Sequence, residues 1–356
     1  MNRDPILFRV DGTAAKGMER LARTMALAAA LQRRRRPTYF LSQLEPTCMA
    51  FTMKRSGMEW LDADAPAGTP EDLSEVIQEV RRLRPAAVIV DAPEAGDDYL
   101  RSIEKAGAPV ISIDHHAATK FPSRLIINPL LGPGRDGYSF EPGAQLLLGA
   151  RYAIVRPEVR RARPARAQEQ PAPIRALVAL GDDDPHRQTL ELAKQLLAMP
   201  KIERVDMIVR PQHPDLAVLQ EFAAAHEDRL TLASEGADIT SRIARCHFAV
   251  SGGAALSLEL ACVGVPQLLI VQNEAHWPTA QRLEEEGAAT CLGWHENVSA
   301  QTIRLAVQNL VQDPCERQAM SRCGRQLIDG RGLDRMVTAL EVLLHPSRQV
   351  HFAKVA

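Results

Sequence analysis

The stretch VSGGAALSLELACVGVPQLLIV, residues 250–271, decides the fold class. An apolar run ends at Ser251, two glycines turn the chain, and a helix-like segment begins near Leu256. A second apolar run, Gln267–Val271, follows Pro266 at once. Strand, short turn, helix and strand make a βαβ unit, whose strands run parallel. Bare N–H groups at a helix start favour phosphate through their partial positive charge. Glycine lets a diphosphate approach the backbone closely. Gly252, Gly253 and Ala254 are therefore candidates for nucleotide binding. Glu259, one turn into the helix, can accept hydrogen bonds from ribose hydroxyls. The same residues also make a plain tight turn followed by a helix carboxylate, and chemistry alone leaves both readings open.

The alternation extends outward in both directions. Strands are expected at Ile6–Val10, Thr38–Ser42, Ala86–Asp91, Pro109–Asp114 and Arg124–Asn128, then at Ala176–Leu180, Val205–Val209, Leu230–Ala233, Phe248–Ser251, Gln267–Val271 and Ala289–Leu292. Helical stretches such as Glu19–Gln32 and Glu71–Leu83 lie between them, the second introduced by Thr69 as N-cap and Pro70. Residues 156–173, RPEVRRARPARAQEQPAP, lack apolar periodicity and read as a linker. The expectation is an α/β protein of two Rossmann-like domains facing across a cleft. Residues 1–155 form an N-terminal domain, 156–173 the linker and 174–356 a C-terminal domain. Parallel sheets bind ligands beyond the carboxyl ends of their strands, which makes residues 11–20 and 251–259 candidate walls of one site.

Composition excludes several classes. The chain has 356 residues, 46% of them apolar, enough for two cores. A net charge of -1 and 4% aromatics argue against nucleic-acid binding through bulk charge or base stacking. The six cysteines, at 48, 246, 262, 291, 315 and 323, contain no Cys-x-x-Cys pair, so reduced thiols are expected. The opening MNRDPILFRV has no apolar stretch suited to a signal peptide or membrane span. A cytoplasmic protein without firm membrane insertion, metal or cofactor is the expectation; oligomeric state is left open.

The loop GTAAKGMERLARTMALA, residues 12–28, joins an apolar strand to a helix. SGGAALSLELACVGVP, followed by AQRLEEEGAA, resembles the C-terminal nucleotide-binding segment of GT-B glycosyltransferases of the MurG type. It is still more similar to the UDP-sugar hydrolase of pseudaminic acid biosynthesis and its spore-coat polysaccharide relatives. FRVDGTAAKGMERLARTMALAAAL resembles that family's opening strand, Asp-containing loop, Gly-x-Gly-His-x-x-Arg motif and Leu-Ala helix. VIVDAP, ISIDHH, INPLL, LLLGARYAIVRPE and VALGDDDPHRQTLEL follow in the family's order. The resemblance spans about residues 6–295. It implies a GT-B-like fold and a UDP-sugar ligand, with hydrolysis at the anomeric carbon, in surface glycan or flagellin glycosylation.

The chain departs from the motif at the centre of the chemistry. Asp11, Gly17 and Arg23 match. Glu19 stands at the second motif glycine and Arg20 at the family's acid–base histidine. Arginine stays protonated and cannot take over proton transfer, but its planar fork can bind an anion. Glu19 is a possible base, although a first-turn glutamate is commonly a dipole-matched surface residue. Ala275-His276 stands where the family usually has Asn-Gln, with Asn273 two residues away. The expected sugar-facing residues are Gly17, Asp114 and His276; the expected catalytic set is Asp11, Arg20, Glu19 and His115. The resemblance leaves open an enzyme with altered acid–base groups or a noncatalytic nucleotide-sugar binder.

Asp91 and Asp114-His115-His116 support a rival, because carboxylate and imidazole together suit a divalent ion. They resemble the DHH phosphoesterases, yet only Asp11 stands for those enzymes' aspartate-rich first motif, leaving a two-metal site short of ligands. His115 or His116 can also serve without metal, in place of the lost histidine. QRRRRP, residues 32–37, reads as a solvated helix end, with anionic headgroups as the alternative partner. GDDDPH, residues 181–186, reads as a polar strand-to-helix loop that could touch phosphates. Trp60, Trp277 and Trp294 are too scattered to make a sugar platform.

Overall fold

The computed structural model describes residues 3–13, 18–168, 170–181, 184, 186–211, 213–233 and 237–344. Contacts divide the chain into two units. The first comprises Met1–Pro129, Pro133–Leu148 and Arg331–Ala356; the second comprises Leu130–Gly132 and Gly149–Gly330. Both are α/β and Rossmann-like.

The first unit holds strands β1 (Ile6–Arg9), β2 (Thr38–Ser42), β3 (Glu59–Asp62), β4 (Ala87–Val90), β5 (Val110–Ile113), β6 (Lys120–Phe121), β7 (Leu125–Ile127), β8 (Ser139–Phe140) and β9 (Gln145–Leu147). Its helices are α1 (Glu19–Gln32), α2 (Met49–Arg55), α3 (Pro70–Leu83) and α4 (Asp97–Lys105). Seven strands form one parallel sheet in the order β3-β2-β1-β4-β5-β7-β9. β1, β4, β5 and β7 are buried throughout, which is why they read as unbroken apolar runs. β3 and β9, at the sheet edges, are short and partly exposed, and periodicity did not reveal them. The α3 cap is as expected: Thr69 accepts from the Asp72 N–H and Pro70 opens the helix.

The second unit holds α5 (Pro157–Arg160), β10 (Ile174–Ala179), α6 (Thr189–Leu197), β11 (Ile202–Ile208), α7 (Leu216–Ala225), β12 (Leu230–Ala233), α8 (Ala237–Arg245), β13 (Phe248–Ser251), α9 (Ala255–Val263), β14 (Gln267–Val271), α10 (Trp277–Glu285), β15 (Thr290–Trp294), α11 (Ala300–Gln312) and α12 (Pro314–Leu327). Its parallel sheet runs β12-β11-β10-β13-β14-β15. In both sheets the strand order reverses beside the unit's first strand, between β1 and β4 and between β10 and β13. That is where doubly wound sheets leave a crevice for ligand.

Two boundaries differ from the sequence expectation. Within residues 156–173, the stretch 156–166 is packed structure of the second unit. Val159 and Ala162 are buried, and Arg163 donates to the carbonyls of Cys262, Ile328 and Arg325. Buried Arg166 donates to the carbonyls of Ile243, Ala244 and Cys246 and of Gly264. Arginines that looked like solvated linker residues thus satisfy carbonyls around the ends of α8, α9 and α12. The final helix, α13 (Gly332–Leu344), lies within the span expected for the C-terminal domain but belongs to the first unit. There Glu341 accepts from Arg36 Nε at 2.7 Å and from Arg3 Nη1 at 2.6 Å.

Candidate functional site

In the first unit, Asp11 follows β1 and is 2% exposed. Its Oδ1 accepts from Arg9 Nη1 at 2.5 Å and from the Gln43 N–H; its Oδ2 accepts from the Ala67 N–H. Burial pushes this carboxyl up. Arg9, helped by the two backbone N–H groups, outweighs that and holds it below the usual carboxylate range. Arg9 also donates to Asp72, which accepts from the Tyr99 hydroxyl. Asp11 is therefore engaged in a buried ionic network that fastens the loops after β1, β2 and β3. A Cβ on the next residue, Gly12, would lie 2.6 Å from Leu21 Cδ2, so the Leu21 side chain would have to shift. Gly17 lies outside the described residues.

A second cluster gathers on α1 and the ends of β4 and β5. Arg23 donates twice to Asp91, from Nε at 2.7 Å and from Nη2 at 2.5 Å, and its Nη1 lies 3.5 Å from His115 Nδ1. Burial lowers the Arg23 pKa, but Asp91 first, then Glu19 and Asp114, raise it overall. Glu19, Asp114 and His115 are thus gathered around one guanidinium. Asp114 Oδ2 accepts the N–H groups of His116 and Ala117, closing the turn after β5. The His115 and His116 rings lie 4.1 Å apart, centroid to centroid. Among the described residues, the side chain of Arg20, one turn before Thr24, makes a long contact of 3.4 Å with half-exposed Glu94. The Asp91 carboxylate, a metal ligand in the rival reading, is spanned by Arg23, and no group of three metal-type ligands occurs among the described residues.

In the second unit the Ser251–Ala254 turn stands at the end of β13. A Cβ on Gly252 would lie 2.0 Å from the Leu180 carbonyl oxygen, so only glycine fits. Gly253 has φ +77°, and its Cβ would meet Ala280 Cβ at 3.0 Å and the His276 carbonyl oxygen at 3.7 Å. His276 therefore stands beside the glycine turn. Ser257 Oγ accepts from the Gly253 N–H and donates to Ser251 Oγ, which donates to Gln267 Oε1. Gln267 Nε2 returns to the Ser257 carbonyl. This closed chain of buried bonds holds the turn rigid, while Ala254 occupies the N-cap position of α9 without a side-chain cap. Glu259 is 5% exposed, and both its oxygens accept from Arg156 Nε; Oε2 also accepts from Nη2 and Oε1 from the Arg156 N–H.

Beside the turn lies a polar group that the sequence did not announce. His186 and His295 stack with centroids 3.4 Å apart. His186 Nε2 sits 3.3 Å from the Gln272 carbonyl oxygen. Gln188 donates to the His295 carbonyl and accepts from Gln272 Nε2. Asp184 accepts the N–H groups of Gln188 and Thr189 at the start of α6. Only the GDDDPH loop drew attention to this region; Gln188, Gln272 and His295 come from three separate elements and share no spacing.

No protein-family model matches the chain. Over 337 residues it is 22% identical to the spore coat polysaccharide biosynthesis protein SpsG of Bacillus subtilis, covering 94% of this chain and 96% of that protein. Its fold is similar to that of MurG from Acinetobacter baumannii, with TM-score 0.67, 13% identity and coverage of 95% and 99% of the two chains. The UDP-GlcNAc 2-epimerase of Neisseria meningitidis, solved bound to UDP-GlcNAc, gives TM-score 0.62 at 11% identity over 94% and 99%. The spinosyn rhamnosyltransferase SpnG, solved with thymidine diphosphate, gives 0.63 at 15% over 95% and 99%. The fold is of the GT-B type. No described helix is long and apolar enough to cross a membrane.

Proposed function

We propose that this chain binds a uridine diphosphate sugar and serves surface-polysaccharide synthesis, in the manner of the pseudaminic-type UDP-sugar hydrolases, with Arg20 at the position of their acid–base histidine. The observation that carries the reading is the rigid Ser251–Ala254 turn, which has no room for a Cβ at Gly252 and a positive φ at Gly253, and which stands where the second sheet reverses its strand order. Similarity to SpsG over nearly the whole chain supports the pathway class. The thymidine diphosphate bound to SpnG and the UDP-GlcNAc bound to the epimerase support the ligand class.

In this reading Gly252, Gly253 and Ala254 face the diphosphate. Glu259 meets the ribose in competition with Arg156. Asp114 and Gly17 are the sugar-facing candidates of the first unit and His276 that of the second. Asp11 shapes its loop, because Arg9, Gln43 and Ala67 already occupy its carboxylate. Arg20 binds an anion and transfers no proton, which leaves Glu19, His115 and His116 as the groups able to take one. A noncatalytic nucleotide-sugar binder is the second reading, and the arginine at the base position favours it.

The experiment is a thermal shift with UDP, GDP and CDP, followed by UDP release from a UDP-sugar over hours. UDP stabilises the wild type. Arg20→Ala weakens UDP-sugar binding by about ten- to a hundredfold, the value of a charged hydrogen bond. Arg20→His with Glu19→Gly raises UDP release. No shift with any nucleotide at millimolar concentration sinks the nucleotide reading. Robust turnover that persists in Arg20→Ala removes Arg20 from the site.

A further inference from the structure

Trp277 opens α10 directly after His276, and it is 42% exposed. The other two tryptophans are engaged. Trp60 Nε1 donates to the Ser42 carbonyl at 3.0 Å, and Trp294 is half-buried against the core of the second unit, its ring 4.9 Å from that of His295. Single exposed apolar side chains are ordinary on protein surfaces. Among the described residues Phe51, Val218, Leu305 and Val342 are further large ones. What sets Trp277 apart is its place: of these five, it is the one whose neighbour in the chain reaches the glycine turn, through the His276 carbonyl.

The backbone around Trp277 is held on both sides. Asn273 Oδ1 accepts from the Ala275 N–H at 2.9 Å and orders the turn that leads into the helix. Pro278 packs where a Cβ on Gly132 would lie 2.7 Å from its own Cβ, and Thr279 Oγ1 accepts from the Leu131 N–H at 3.2 Å. Ala280 is fully buried, its Cβ 3.0 Å from where a Gly253 Cβ would stand. Residues three apart on an α-helix share a face, about 60° apart round the axis. Trp277 therefore lies on the face that Ala280 packs against the glycine turn, one turn nearer the helix start. Helical side chains lean toward the N-terminus, so the indole rises past the turn, which accounts for its exposure. Exposed Asn273 and Glu274 precede it, and exposed Gln281 lies one turn further on.

We propose that the Trp277 indole is the platform on which the sugar ring of the bound nucleotide-sugar stacks, so that this site selects a pyranose by its apolar C–H face. The inference rests on the nucleotide reading given above. A pyranose presents a flat C–H face and a rim of hydroxyl groups. A rigid aromatic plane with Asn273, Glu274 and Gln281 around it complements both. The nucleobase is the rival occupant, because any aromatic ring can stack a base. Position disfavours it. With the diphosphate at Gly252–Ala254 and the ribose at Glu259 on α9, the base continues beyond the ribose, and Trp277 on α10 is left to the sugar, beside His276.

The test is titration of the full chain with UDP and with UDP-GlcNAc, followed by tryptophan fluorescence and by calorimetry. In the wild type UDP-GlcNAc alters the emission and UDP does not. Trp277→Ala weakens UDP-GlcNAc binding about tenfold, the worth of a stacking contact together with the area it covers, and leaves UDP binding as it was. Trp277→Phe keeps most of the affinity, because a ring remains, and loses the emission change. Thermal denaturation of each variant checks that it folds. Equal weakening of both ligands in Trp277→Ala puts the ring under the base and overturns the proposal. So does UDP-GlcNAc binding that Trp277→Ala leaves unaltered. A wild type that self-associates in sedimentation while Trp277→Ala stays monomeric also overturns it, since the ring then lies between copies. Binding of neither ligand by the wild type removes the nucleotide reading itself, whereas binding that ignores Trp277 removes this inference alone.

Discussion

His295 shows how little local sequence says about a side chain's surroundings. It follows the exposed-looking GW of LGWHEN, yet it is 7% exposed and stacked on His186. Burial first, and then the neighbouring His186, hold its pKa below the ordinary histidine value. The sign of the consequence follows from linkage. A native pKa below the unfolded one means that the unfolded chain binds the proton more tightly, so stability falls as pH drops through and below about 6.5. His295→Gln is expected to flatten the pH dependence of the urea midpoint in that range, while the steeper carboxylate-driven loss near pH 4, to which Asp11 contributes, remains. An unchanged slope between neutral pH and mild acid in the variant would show that another group titrates there. Arg23 carries a related lesson. Its match to a family motif was legible in sequence, but its place at the centre of Asp91, Glu19, Asp114 and His115 needed three elements to converge.

Among the elements, the segment 156–173 is the instructive one. Its composition of Arg, Pro, Ala and Gln predicts a linker, because no apolar period marks a packed face. It packs by another means: Arg163 and Arg166 reach carbonyls that helix ends leave without partners. Arg166→Ala leaves several of these carbonyls buried and unpaired and is expected to cost about 2–4 kcal/mol in chemical denaturation. A loss below about 0.5 kcal/mol, the ordinary surface value, would mean that the segment contributes little to the second unit. The strands behave differently. Those flanked by neighbours on both sides were legible as apolar runs. Edge strands β3 and β9 were not, since a half-exposed strand of three or four residues carries too few side chains to show a pattern.

Across the whole molecule, the chain leaves its first unit, builds the second, and returns to finish the first with α13. The return is secured by the Arg36–Glu341 pair, in which the Arg36 side chain is 1% exposed. Removing the carboxylate takes from the buried Arg36 its Glu341 ion pair and leaves the neutral Asp4 carbonyl, to which Nη1 donates at 3.0 Å, so Glu341→Ala is expected to cost about 3 kcal/mol. The effect belongs to the first unit. Hydrogen exchange should accelerate in α1 and β2, far away in sequence, and remain unchanged in α11 and α12, which lie close by. Faster exchange in α12 with none in α1 would reverse the assignment of α13. Connectivity of this kind cannot be read from helix periodicity, because periodicity fixes which face of α13 is apolar and says nothing about which surface receives it.

Sequence by itself determined the class of both units. Alternating buried strands and amphipathic helices, with the glycine turn at 251–254, leave little besides parallel doubly wound sheets, since backbone hydrogen bonding and burial on both sheet faces act locally along the chain. It also located the two loops, after β1 and after β13, where each sheet reverses order. Tertiary structure decided what the polar side chains in those regions do. Asp11 was placed in a buried ion cluster by Arg9, Asp72 and Tyr99, and Glu259 was paired with Arg156, more than a hundred residues away. The physical reason is that a charge leaves water only with a partner. Which partner it meets depends on distant strands brought to one edge, a relation that no spacing along the chain records.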